Sequence, residues 1–279
     1  MTEVASKIAL VTGASSGIGE ATARALMAAG YRVYAGARRV DRMAPLAAAG
    51  ASLLKLDVTD DASMLAAVNT IRGEAGRIDV LVNNAGYGSY GALEDVLLAE
   101  ARRQFEVNVF GLARLCQLVL PIMRAQKSGK IVNVTSIGGK IWEPLGAWYH
   151  ATKFAVEGLS DCLRVEVGRF GIDVIVIEPG AIRTEWAGIA RDGLLQMSGS
   201  GAYAELAKRH AQMLATAETS SLASPPEVVA RTIVRAVGAR RPKTRYATGG
   251  GARMILFLKA VLPNRMFDQL IWRFTQGFS

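Results

Sequence analysis

Seven short β-rich runs, each separated from the next by an amphipathic or alanine-rich stretch, set the main constraint on how this chain folds. They are KIALVTG, YRVYAGA, ASLLKLDV, IDVLVNNAG, KIVNVTS, IDVIVIEPG and TRYATGG. Strands that alternate with helices are joined by crossovers, which brings neighbours together in parallel and covers both faces of the sheet. The expected class is therefore α/β: a doubly wound seven-stranded parallel sheet with helices on both faces and a C-terminal helical extension. A sheet buried on both faces needs an apolar chain, and 51% of the 279 residues are hydrophobic. With no internal repeat or linker, residues 1–279 read as a single domain with a core from about 6 to 250. Residues 185–224 have no clear assignment and are expected to form a substrate loop, and 251–279 a helical tail.

The first run leads into Thr12-Gly13-Ala14-Ser15-Ser16-Gly17-Ile18-Gly19 and then into EATARALMAAG. Glycines permit positive φ and a close approach of backbone to a pyrophosphate, and the following helix offers free N–H groups and the positive end of its dipole. In this strand-to-helix context the turn reads as a dinucleotide site. The end of the second strand selects the cofactor, because an acid there would hold a ribose 2′-hydroxyl and an arginine a 2′-phosphate. Arg38 and Arg39 occupy it, so NADP(H) is expected ahead of NAD(H).

Within SIGGKIWEPLGAWYHATK, Tyr149 and Lys153 stand four residues apart, on one face of a helix. Tyrosine ordinarily titrates near pH 10, and an ammonium one turn away is expected to pull it toward working pH. Ser136 ends the run KIVNVTS, at the kind of strand end where open α/β sheets bind ligands. His150 faces about 100° away from Tyr149 and is expected to be structural. His210 is expected at the surface, and Asn83 and Asn133 are expected to tie strands together. Cys116 and Cys162 lack the spacing of a metal site or a disulfide framework and are expected to be reduced core residues; no metal is expected.

Taken together, TGASSGIG, NNAG at Asn83 to Gly86, Asn108, Ser136, Tyr149, Lys153 and PGAIRT at Pro179 to Thr184 resemble the short-chain dehydrogenase/reductase family. The resemblance covers residues from about 6 to 250 and implies a Rossmann sheet of order 3-2-1-4-5-6-7 with hydride transfer at nicotinamide. It further implies that Gly13, Ser15, Ser16, Gly17, Ile18, Gly19, Arg38 and Arg39 bind cofactor. Asp57 and Val58 would flank the adenine, and Asn84, Ala85 and Gly86 would line the ribose. Pro179, Gly180, Ile182 and Thr184 would hold the carboxamide end and phosphates, and Lys153 the nicotinamide ribose. Ser136 and Tyr149 would act on the substrate oxygen, with Asn108 anchoring a water behind Lys153. The look of the chain, similar to hydroxysteroid and retinol dehydrogenase-like branches, points to a bulky apolar ketone or aldehyde interconverted with its alcohol. The alternatives are an NAD-dependent alcohol dehydrogenase and a non-catalytic NADP(H)-binding sensor; the presence of all four catalytic positions favours the enzyme.

The net charge of +9 is dispersed, so nucleic acid is not an expected partner. No leader pattern opens the chain and no uncharged apolar run reaches about 18 residues, so a cytoplasmic protein is expected, as a homodimer or homotetramer. In the tail, Met266, Phe267, Leu270, Ile271 and Phe274 recur at helical spacing and must be covered by something. The expected cover is the protein's own surface near 185–224, with a weak membrane-surface contact through the tail as the lesser possibility.

Overall fold

A computed structural model describes residues 6–219 and 223–277. The strands are β1 (Ile8–Thr12), β2 (Arg32–Ala37), β3 (Ser52–Lys55), β4 (Val80–Asn83), β5 (Gly129–Val134), β6 (Ile172–Pro179) and β7 (Arg245–Thr248). They form one sheet of order β3-β2-β1-β4-β5-β6-β7, parallel at every pairing. The helices are α1 (Gly17–Ala28), α2 (Ala44–Ala48), α3 (Asp61–Ala75), α4 (Leu98–Phe105), α5 (Gly111–Gln126), α6 (Ala147–Val167), α7 (Glu185–Ser198), α8 (Ala204–Thr219), α9 (Pro226–Gly238), α10 (Ala252–Val261) and α11 (Asn264–Gln276).

The two-residue period of a strand divides the core between two layers. Ile8 and Leu10 pack with Ile71, Leu115, Val119, Met123 and Leu163 on the side of α3, α5 and α6. Ala9 and Val11 pack with Leu26, Leu46, Val229 and Ile233 on the side of α1, α2 and α9. By length and composition alone the helical stretch Leu98–Gln126 could cross a bilayer, although charged residues such as Glu106, Arg114 and Arg124 interrupt it. Its Leu112, Leu115, Val119 and Met123 are nevertheless buried in the core of this protein.

Four expectations are corrected. Residues 185–224 are not a loop: α7 and α8 occupy most of the stretch, with Ala187, Ala190, Leu194, Ala207, Ala211 and Leu214 turned inward. Their stripe is built largely of alanines, which mark a helical face only faintly; residues 220–222 lie outside the described ones. His210 is fully buried rather than superficial, and Cys162 is exposed while Cys116 is buried. The tail is helical, as expected, but its stripe is split. Phe267 is fully buried against the body, whereas Met266, Leu270 and Phe274 are exposed.

Candidate active site

The glycine-rich turn is shaped by contacts that leave no room for a Cβ. Gly13 and Gly17 have φ of +65° and +55°, and a Cβ on Gly19 would run into the Gly13 carbonyl. Asn84 fastens the turn to the end of β4: its Nδ2 donates to the carbonyls of Thr12 (3.0 Å) and Gly13 (3.3 Å). The backbone N–H groups of Asn84 and Ala85 donate to Thr12 Oγ1, both at 3.0 Å. Ser16 caps α1 without a side-chain bond to its first turn, so those N–H groups stay available to an anion, and Ile18 packs on the core. At the end of β2, Arg39 Nη2 lies 3.4 Å from the hydroxyls of both Ser15 and Ser16. These residues fit a dinucleotide with a phosphorylated ribose.

Around this turn, Asp57 at the end of β3 is held below the usual carboxylate range: burial works against ionisation, and Thr59 bonds with the Arg38 and Arg103 charges outweigh it. Val58 packs against Gly111. A Cβ on Gly86 would sit 3.1 Å from Asn108 Oδ1. Pro179 ends β6, Gly180 lies against Gly250, and Ile182 pairs with Ser224 in an isolated bridge. Thr184 caps α7, accepting from Trp186 N at 3.4 Å, with its methyl against Gly17. One residue on, Glu185 pairs with Arg42 and stands 3.6 Å from Arg39. Arg42 was not among the sequence candidates, although it lies within the same basic run as Arg38.

Ser136, Tyr149 and Lys153 come together at the carboxyl edge of the sheet. Ser136 Oγ accepts from Gly138 N (3.0 Å) and is hydrogen-bonded to Tyr149. Lys153 is buried, its Nζ donating to the Val134 carbonyl (3.2 Å) and lying 5.9 Å from the Tyr149 ring centroid. The expected lowering of the tyrosine is not what this arrangement produces. Burial pushes Tyr149 up to about 12, the Ser136 bond opposing it and the Glu143 charge adding to it. Burial likewise pulls Lys153 down to about 8, with Glu157 holding part of that back. Desolvation outweighs the lysine's field because neither group faces water.

Asn108 sits in a single π-helical turn, Glu106–Phe110, between α4 and α5. Its side chain makes three bonds: Oδ1 accepts from Tyr87 N (3.0 Å), and Nδ2 donates to Tyr87 O (2.9 Å) and Thr152 Oγ1 (3.1 Å). The side chain thus locks the Tyr87 segment onto α6. His150 is structural, as its direction on the helix implied: Nδ1 meets the Gly138 carbonyl at 2.8 Å and Nε2 accepts from Glu143 N at 3.1 Å. Asn83 Nδ2 donates to Asn133 Oδ1 at 3.0 Å, joining β4 to β5.

Over Tyr149 lies a second group that sequence reading missed. Tyr90 and Trp186 stand 5.5 and 5.2 Å from its ring, and His210 stacks on Tyr90 at 5.5 Å. Tyr90 and Trp186 belong to an apolar cluster with Leu145, Leu194 and Leu214. Tyr90 lies in the irregular stretch after β4 and carries no local signal. Trp186, two residues after the Thr184 that ends the PGAIRT stretch, had one.

A family model described as short chain dehydrogenase matches residues 7–194. The chain belongs to the short-chain dehydrogenase/reductase family. This short-chain dehydrogenase is 36% identical over 266 residues to a 3-ketodihydrosphingosine reductase of Bacteroides thetaiotaomicron, covering 94% of this chain and 95% of that one. It is 33% identical over 279 residues to an NADPH-dependent 3-dehydrocapnine reductase of Ornithobacterium rhinotracheale, covering 96% of each. The crystal structure of a short-chain dehydrogenase from Streptomyces avermitilis matches it with a TM-score of 0.80 at 35% identity, over 99% of this chain and 100% of that one. The protein is an NAD(P)-dependent oxidoreductase with the Rossmann sheet its motifs implied.

Proposed function

We propose that this enzyme is an NADPH-dependent carbonyl reductase that interconverts a ketone or aldehyde with its alcohol, acting on a bulky, largely apolar substrate. The observation that carries the reading is the Ser136–Tyr149 pair beside Lys153, under a roof of Tyr90, Trp186 and leucines. Bound NADPH supplies the hydride. Ser136 and Tyr149 hold the substrate oxygen by hydrogen bonds, and Tyr149, a protonated phenol at neutral pH, releases its proton to that oxygen as negative charge builds there. Lys153, one turn along α6, contributes a positive charge that is felt most strongly when the oxygen is anionic. Arg39, with Arg38 beside it, favours the 2′-phosphate; one relative is itself named NADPH-dependent.

Two further features support the reading's partners. Exposed Leu97, Leu98, Phe110 and Phe154 suit a homo-oligomer, and exposed Phe257 and Trp272 among the tail's basic residues suit a weak membrane-surface contact. The test is a panel of small and large ketones and aldehydes followed by NADPH absorbance beside NADH. Turnover of apolar ketones with NADPH preferred is expected; no turnover with either cofactor, or equal rates with both, overturns the reading.

A further inference from the structure

Glu143, six residues before Tyr149 in the turn leading to α6, is a carboxylate in an aromatic surrounding. Its charge adds to burial in raising the Tyr90 phenol well above its usual range, and it stands 3.8 Å from His210 Nε2. Its negative charge also reaches Tyr149. Among the described residues, His210 is the one basic group within ion-pair distance of Glu143. Burial lowers the pKa of that imidazole, with Glu143 opposing and His150 reinforcing the effect, so it is neutral at pH 7. Both His210 ring nitrogens are buried without a hydrogen-bond partner. Lys259 does not neutralise Glu143: its ammonium lies over the Trp142 and Phe267 rings and donates to Asn264 at 2.9 Å.

Glu143 is also reachable. Its side chain is 27% exposed, and it lines a cleft of about 290 Å³ between residues 142–144 and α11, together with Trp142, Asp268, Ile271 and Trp272. An uncompensated carboxylate beside Tyr149 opposes the reaction proposed above, because it disfavours the anion that forms on the substrate oxygen. A substrate that brings its own positive charge reverses the sign: an ammonium between the carboxylate and the developing oxyanion favours both. Carboxylate, aromatic faces and an unpartnered imidazole nitrogen are suited to holding one.

We propose that Glu143, with Tyr90 and His210, forms an ammonium-binding subsite beside Tyr149, and that the preferred substrate is an amino ketone, or the matching amino alcohol, whose protonated amine lies close to the reacting carbon. The apolar remainder of the substrate occupies the cleft under α11. The inference rests on the reductase reading above and narrows its substrate class.

The test compares two long-chain ketones of equal length, one with an amine on the carbon next to the carbonyl and one without, under NADPH at pH 7. In the wild type, kcat/KM is expected to favour the amino ketone by about tenfold or more. In Glu143→Gln that ratio should fall toward one, and Glu143→Asp should keep part of it. A wild type that reduces both ketones equally, or a Glu143→Gln protein that keeps the full preference, overturns the subsite. If Glu143→Gln does not fold, inhibition of the wild type decides. A long-chain alkylamine should compete with ketone about tenfold more tightly than the alcohol of equal length, and equal inhibition overturns the subsite. A wild type that reduces neither ketone overturns the reductase reading together with the subsite, whereas reduction without amine preference removes the subsite alone.

Discussion

The half of the molecule built from β1 to α3 and the half built from α7 to α11 meet at Tyr149, and they recognise their ligands by different means. In the first half backbone does the work: Gly13, Gly17 and Gly19 bring the main chain close, and Asn84 holds the turn in place. In the second half side chains do it: Trp186 and His210, from α7 and α8, converge with Tyr90 and Glu143 from the segment between β4 and α6, and α11 closes the cleft from outside. A backbone site tolerates few changes because each glycine excludes a Cβ. A side-chain site can be retuned one residue at a time, so cofactor binding is the shared property of such a fold and substrate choice the variable one.

Tyr149→Phe tests the point where the halves meet, and the largest effect is expected there. The ring and its packing remain while the proton donor goes, so kcat should fall by about 10²- to 10⁴-fold with NADPH affinity within a fewfold of wild type. Near-normal turnover would end the assignment of Tyr149 as the acid. Gly19→Ala addresses the backbone half alone. A Cβ there collides with the Gly13 carbonyl, so NADPH affinity should drop by about tenfold or more, a loss that substrate cannot rescue. Titration of cofactor fluorescence reads this directly, and unchanged affinity would mean the turn can open without cost.

Arg39→Ala sharpens the comparison by acting on specificity within the backbone half. Losing a charge-assisted contact to the 2′-phosphate should move the NADPH/NADH ratio of kcat/KM toward NADH by about tenfold to a hundredfold. An unmoved ratio would assign the phosphate to Arg38 and Arg42 instead. The pH profile should show a smaller effect. Lys153 is held at about 8 by burial, so it is charged below that pH and neutral above it, and the positive charge it lends the forming alkoxide disappears as pH rises through 8. Since kcat/KM reports groups of the free enzyme, the reduction profile should decline on its alkaline side from about pH 8. A flat profile to pH 10 would mean that Lys153 stays charged in its buried site.

The smallest effect belongs to the outer wall of the substrate half. Removing residues 262–279 takes away Asp268, Ile271 and Trp272 from the cleft and uncovers Trp142. KM for a large apolar ketone should rise severalfold while a small carbonyl and NADPH bind as before. Equal KM changes for both substrates would make α11 a stabilising cover rather than part of the site.

Local rules determined much of this protein from its sequence. Seven β-rich runs between helical stretches dictate a parallel sheet, a glycine-rich strand-to-helix turn dictates where a dinucleotide lies, and a four-residue helical spacing puts Tyr149 and Lys153 on one face. These features are legible because each depends on residues within a few positions of one another. Tertiary structure decided the rest. Alanine-rich α7 and α8 gave little contrast between faces, His210 went from expected surface to full burial, and the tail's apolar stripe divided between a buried Phe267 and an exposed Met266. It also set the direction of the tyrosine's titration, because burial outweighed the neighbouring charge that spacing alone had put forward. Desolvation, and the meeting of Tyr90, Glu143 and His210, depend on chain segments more than fifty residues apart being brought together. That information is carried by packing and not by any local pattern.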